Sequence, residues 1–251
     1  MASFAKWLGA SLGFSFGGPI GGIIGFAVGS FVDGFSGDDF SKEQEKYARQ
    51  SRVGGKAEIQ SGDFEISLLV LAAIVIKADG KIDKRELEYV RQQFIGMYGK
   101  QRAENAFKLF KGIIKKQISA RQVCMQIRQH MPHASRLQLI HFLFGIAKAD
   151  NFVETSEVDE IKKIAGYLYI NQRDFDSIKA MFFNEINNAY TILEIDKNAT
   201  VAEIKKAYRK MVKKYHPDKL QGMGKEHING AEAKFQKVQE AYDQLKKEKN
   251  F

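Results

Sequence analysis

The chain has 251 residues, 44% of them hydrophobic and 27% charged, with a formal net charge of +9. This is a globular balance, long enough for one large domain or two smaller ones, and it excludes a largely disordered or fibrous protein. The single cysteine, Cys124, excludes an internal disulfide and, with no Cys/His cluster, a zinc site; that suits a reducing compartment.

The first element, residues 1–33, is a glycine-rich segment. Trp7 to Val32 carries no charge, and as a helix it would be about 38 Å long, enough for a bilayer core of about 30 Å. Gly9, Gly13, Gly17, Gly21, Gly25 and Gly29 fall at every fourth position. That register suits close helix–helix contact in lipid and predicts a homodimer through this segment. A signal peptide, a soluble glycine-rich tail and a hairpin broken at Gly17, Gly18 and Pro19 are the competing readings. Lys42, Lys46, Arg49 and Arg52 follow the span whereas only Lys6 precedes it, so the positive-inside rule places the bulk of the chain in the cytoplasm.

Residues 34–63 are polar with scattered glycine and no sustained apolar period, which reads as a linker. From Phe64 to about residue 185 the pattern is all-helical. Two runs meet at Asp79 and Gly80, with Asp83 and Glu86 spaced as a capping box. Helices are expected over Arg102–Lys116, Ser119–Met131, Ser135–Ala149, Ser156–Tyr169 and Arg173–Phe183, with Ser119, Ser135 and Asn171 as caps. Cys124 alternates with apolar residues and reads as a packed small hydrophobe.

This region repeats itself. "AIVIKADGKIDKRELEYV" and "LFGIAKADNFVETSEVDEI" place Asp79, Asp83 and Glu86 opposite Asp150, Glu154 and Glu157. The acids are weak metal candidates, because the positions that would supply the leading carboxylates of a calcium loop are Val75 and Lys77, and Ile146 and Lys148 in the copy. Helix capping is the simpler reading. The duplicated KAD turns in a helical domain resemble the TerB family of tellurite-resistance domains, a resemblance that implies no catalytic chemistry.

Between Asn188 and Phe251 there are 14 Lys and Arg against 9 Asp and Glu, so +5 of the net +9 lies here and the partner of this segment is expected to be acidic. Val201, Ile204, Tyr208, Met211 and Tyr215 form one helical stripe; Ile228, Ala231, Phe235, Val238, Tyr242 and Leu245 form a second. Joined by a polar loop, they predict an antiparallel hairpin, with Tyr190 and Leu193 of an upstream short helix as braces. Pro217 ends the first of the two helices near Tyr215 and His216 and leaves Asp218 at the bend. The other face carries Lys205, Lys206, Arg209, Lys210, Lys213 and Lys214.

"NAYTILEIDKNATVAEIKKAYRKMVKKYHPDK…AEAKFQKVQEAYDQL" resembles a J domain over residues 188–251. The resemblance implies a module that docks on a DnaK-type chaperone and stimulates ATP hydrolysis in that partner's active site. It implies a docking face of Lys205, Tyr208, Arg209 and Lys210, and a trigger of His216, Pro217, Asp218 and Lys219. Glu194 stands where J domains usually have a turn glycine, a departure placed in the first loop and away from the HPD site. Glycine-rich segment, TerB-like domain and terminal J domain together resemble the DjlA-like family of membrane-anchored co-chaperones, which implies a bacterial inner membrane. The fold class is therefore all-α, with no cofactor. A TerB-type stress-response or metal-sensing scaffold with an accessory J domain is the alternative.

No enzyme is expected: His130, His133 and His141 have no sulfur or acid partner at fixed spacing. Nucleic acid is not an expected partner either, because the aromatics of the basic helix fall on its apolar stripe.

Overall fold

The computed structural model describes residues 61–115, 118–149, 154–183, 188–215 and 225–251; the side chains of 61–63, 109, 130 and 225–230 are not among those described. The glycine register from Gly9 to Gly29, Asp150, and His216, Pro217, Asp218 and Lys219 lie outside these residues. Every regular element among the described residues is a helix.

Two helices apolar around their whole circumference must be enclosed, and they set the centre of the fold. They are α1 (Ser61–Ile76) and α5 (His133–Ala147). From Leu68 to Ile76 only Ile74 is not fully buried, and α5 is buried from Leu137 through Ile140 and from Phe142 to Ala147. Around this pair lie α2 (Lys84–Tyr98), α3 (Lys100–Ile113), α4 (Ala120–His130), α6 (Thr155–Tyr167) and α7 (Gln172–Ala180). At Gly145 a Cβ would run into the Tyr89 hydroxyl, so α2 and α5 approach here only because the side chain is absent.

The local signals act as expected at most helix starts. Asp83 and Glu86 form the capping box of α2, Ser119 caps α4, and the Asn171 side chain accepts from the Asp174 N–H at 2.9 Å. Gly80 takes φ +79° in the first KAD turn, a conformation that a side chain would strain. Ser135 is a correction: α5 begins two residues earlier, at His133 behind Pro132, and Ser135 is a buried interior residue. Proline has no N–H to leave unsatisfied, so it closes the preceding turn and opens this helix.

The last quarter comprises α8 (Asn188–Ile192), α9 (Val201–Tyr215) and α10 (Lys225–Lys249). Helices α9 and α10 pair antiparallel: Lys205 lies over the Phe251 ring, Tyr208 stacks on Tyr242 with centroids 4.1 Å apart, and Lys234 lies over the Tyr215 ring. Ile204, Met211, Val238 and Leu245 are fully enclosed between them. Tyr190 and Leu193 brace the pair, and the Tyr190 hydroxyl donates to Glu248 at 2.7 Å.

This hairpin does not stand apart from the seven preceding helices. Helix α10 packs on α5 and α2, α8 packs on α7, and the Ser177 hydroxyl donates to the Ile192 carbonyl at 2.7 Å. One hydrophobic cluster runs through both parts.

Candidate functional site

The candidate docking face is built on α9. Thr200 and Glu203 begin the helix: the Glu203 carboxylate accepts from the Thr200 N–H at 2.8 Å, and the Thr200 hydroxyl accepts from the Glu203 N–H at 3.3 Å. Ile204, Ala207, Met211 and Tyr215 bury one side of the helix. This burial turns Lys205, Lys206, Arg209, Lys210 and Lys213 to solvent as one basic face. Tyr208 sits at its edge, half-buried, stacked on Tyr242 and donating to Gln239. Much of its ring therefore holds the hairpin together.

Lys214 departs from the stripe to which its spacing assigns it. Its side chain is only 18% exposed, and its ammonium donates to both Asp174 of α7 and Glu194. Burial alone would lower its pKa; Tyr215, Asp174 and Glu194 outweigh that and hold it above the ordinary lysine value.

Glu194 lies in the first loop, directly after α8, as its place in the sequence implies. It takes φ +59°, the left-handed conformation that explains why a glycine usually stands here. Its nearly enclosed carboxylate accepts from Lys210 at 3.1 Å as well as from Lys214, so it reaches the docking face directly.

Asp174 lies in the first turn of α7, where the helix dipole favours a negative charge. His133 contacts its other oxygen at 2.9 Å. Burial would raise the Asp174 pKa, but the bonds from His133 and Lys214 overcome it and hold the carboxyl well below the usual range.

Deeper in the same interface, Lys234 is 2% exposed, and its pKa falls to about 7 because burial penalises the charge and Lys214 repels it. Burial, with Lys234 adding to it, holds His141 neutral, well below its ordinary pKa, against the Phe182 ring. Thus His133 contacts the Asp174 carboxylate and His141 packs on the Phe182 ring; the His130 side chain lies outside the described residues. Cys124 is fully buried, and burial pushes its thiol up to about 12, followed by the charge of Glu160.

Asp83 with Glu86, and Glu154 with Glu157, form capping boxes at the starts of α2 and α6, while Asp79 closes the turn before α2. Asp79 accepts from the Lys81 N–H at 2.8 Å, Asp83 from the Arg85 N–H at 2.7 Å, and Glu86 from the Asp83 N–H at 3.3 Å. In the copy, Glu157 accepts from the Glu154 N–H at 3.0 Å. Glu86 and Glu157, one from each copy, are both buried and hydrogen-bonded to each other, and the Glu86 pKa rises to about 8 through burial first and Glu157 second. Among the described residues no three His, Cys, Asp or Glu side chains form a group that could hold a metal.

Sequence reasoning missed the Asp174–Lys214–Glu194 contacts and the meeting of Glu86 with Glu157. The one signal for the first was the unusual glutamate at position 194, and for the second the repeat itself.

Three families match the chain. The co-chaperone DjlA transmembrane domain matches residues 1–52, tellurite resistance protein TerB matches 65–180, and the DnaJ domain matches 181–250. The chain is similar to co-chaperone protein DjlA of Vibrio vulnificus, at 29% identity with 75% of this chain and 79% of that protein covered. It is similar to co-chaperone protein DjlA of Photobacterium profundum, at 27% identity over 86% of this chain and 91% of that protein. A stretch of 56 residues, 22% of this chain and 14% of the relative, is 61% identical to chaperone protein DnaJ of Erysipelothrix rhusiopathiae. No solved structure matches.

Proposed function

We propose, from the premise that the chain is DjlA-like and carries a TerB domain followed by a J domain, that it activates a DnaK-type chaperone at the cytoplasmic face of a bacterial inner membrane. The observation that carries this reading is the exposed basic face of α9, with Lys205, Arg209 and Lys210 turned to solvent on the helix that leads into His216, Pro217 and Asp218. The match of residues 1–52 to a transmembrane domain supports the anchor.

The mechanism divides between steering and triggering. The basic face draws an acidic surface of the partner toward it, a step that salt screens. His216, Pro217 and Asp218 then act on the partner, whose own active site hydrolyses ATP; this chain is no enzyme and takes no cofactor. The buried pairing of α9 with α10 holds the face in shape before the encounter, which limits the ordering cost of binding. The span from Trp7 to Val32 anchors the chain and pairs it with a second copy through Gly9, Gly13, Gly17, Gly21, Gly25 and Gly29.

Among the described residues no helix is long and apolar enough to cross a membrane, so the anchor rests on the segment before residue 61. Vesicle flotation tests both halves of the proposal. Vesicles carrying the full chain will lift an ATP-bound DnaK-type chaperone with them, and vesicles carrying His216→Gln will not. Equal flotation with both would refute the docking site, and release of the parent chain by alkaline carbonate would refute the anchor.

A further inference from the structure

We propose that Asp174 and Glu194 brake the basic docking face, withdrawing Lys214 from it and neutralising Lys210 at its surface, so that the TerB domain sets the rate at which the J domain captures its acidic partner. The inference rests on the co-chaperone reading and adds a regulatory role for the domain before it.

Asp174, Lys214, Glu194 and Lys210 form a chain of alternating charge, and the His133 ring contacts its Asp174 end. Asp174 gives one oxygen to His133 and the other to Lys214; Glu194 gives one oxygen to Lys214 and the other to Lys210. Both carboxylates are built into the protein, with side chains 5% and 4% exposed, whereas Lys210 reaches them from the surface at 66%. Six cations occupy the polar side of α9 in sequence, from Lys205 to Lys214. Two are bound to internal acids, which leaves Lys205, Lys206, Arg209 and Lys213 outside the chain.

An acidic partner must compete with Glu194 for Lys210, and Lys214 is out of its reach while Asp174 holds it. Steering scales with the charge that a surface presents, so two internal carboxylates slow the encounter. The backbone places Glu194 for this role: it takes φ +59° at the hydrogen-bonded end of α8, where the Ile195 N–H donates to the Tyr190 carbonyl at 3.0 Å. From there its side chain meets both lysines. Asp174 and His133 are contributed by the TerB domain and not by the hairpin, so the brake depends on both domains.

The test follows association of the full chain, held in lipid nanodiscs, with an ATP-bound DnaK-type chaperone by stopped flow across ionic strengths. Glu194→Gln removes the charge and keeps the side chain's size. Its association will be about threefold faster at low salt and will fall more steeply with added salt, the behaviour of one further unscreened cation. Asp174→Asn will give a smaller increase and the double variant the largest. Glu194→Gly, which suits the positive φ, must also be faster, so a Gln variant that failed to fold would be exposed by its disagreement with Gly. A faster rate in a folded variant supports the brake. Rates equal to or below the parent's in both position-194 variants overturn it. A parent that does not bind removes the co-chaperone reading itself, whereas equal binding by parent and variants leaves that reading standing and removes the brake alone.

Discussion

Replacing Glu86 by glutamine isolates the energetic cost of bringing the two repeats together. The Glu86 carboxyl is 6% exposed, bonded to the equally enclosed Glu157, and its pKa rises from 4.5 to about 8, through burial first and Glu157 second, with Asp79 adding to the rise. The folded chain therefore holds a proton that the unfolded chain has released between those values. The stability this contributes is fully present below about pH 4.5 and is lost as pH rises through 8. At about 1.4 kcal/mol per pH unit, and allowing for partial titration near 8, the loss between pH 6 and 8 is about 2 kcal/mol. For a chain of this size that corresponds to roughly 4 to 8 °C in melting temperature. Glutamine keeps the capping bond to the Asp83 N–H and removes the ionisation. Thermal melts of the detergent-solubilised full chain at pH 6, 7 and 8 will show the parent losing this margin relative to Glu86→Gln. Lys234, His141 and the titrating groups that do not touch Glu86 are common to both proteins and cancel in the difference, which reports the Glu86–Glu157 pair. A variant that loses stability with pH as steeply as the parent would refute the shared proton.

Reversing Arg209 and Lys210 to glutamate will slow capture of the chaperone and flatten its salt dependence, read as association rate against ionic strength. Tyr208→Ala will cost about 3 kcal/mol in a urea titration, because it empties the space against Tyr242 and leaves Gln239 without its donor, while Tyr208→Phe will cost about 1 kcal/mol. Calorimetry will find no micromolar calcium site at the KAD turns; such binding, abolished by Asp79→Ala and Asp150→Ala, would overturn their reading as helix junctions. Gly17→Leu with Gly21→Leu will weaken crosslinking between copies in membranes and leave insertion intact, since leucine adds hydrophobicity while blocking close backbone approach.

What could be read from the chain alone was local in origin. The stripes through Ile204, Met211 and Tyr215 and through Val238 and Leu245 gave the hairpin, because a 3.6-residue period needs no knowledge of the partner helix. Asp83, Ser119 and Asn171 mark helix starts for the same reason: a cap acts within a few residues of itself. Lys214 was misplaced because its spacing is that of the exposed stripe, and only the packing of α9 beside α7 brings Asp174, 40 positions away, within reach. His133 meets Asp174 across 41 positions, and the Glu86–Glu157 bond likewise joins separate repeats. Contacts of this kind depend on how helices cross, which periodicity does not specify.

The central claim is that this chain switches on ATP hydrolysis in a DnaK-type chaperone. Single-turnover hydrolysis by a preformed chaperone–ATP complex, mixed with the full chain or with Asp218→Asn, tests it most directly. The account predicts a rate at least about tenfold above the chaperone alone for the parent and the unstimulated rate for Asp218→Asn, with both proteins melting at the same temperature. Stimulation of equal size by the two would contradict it.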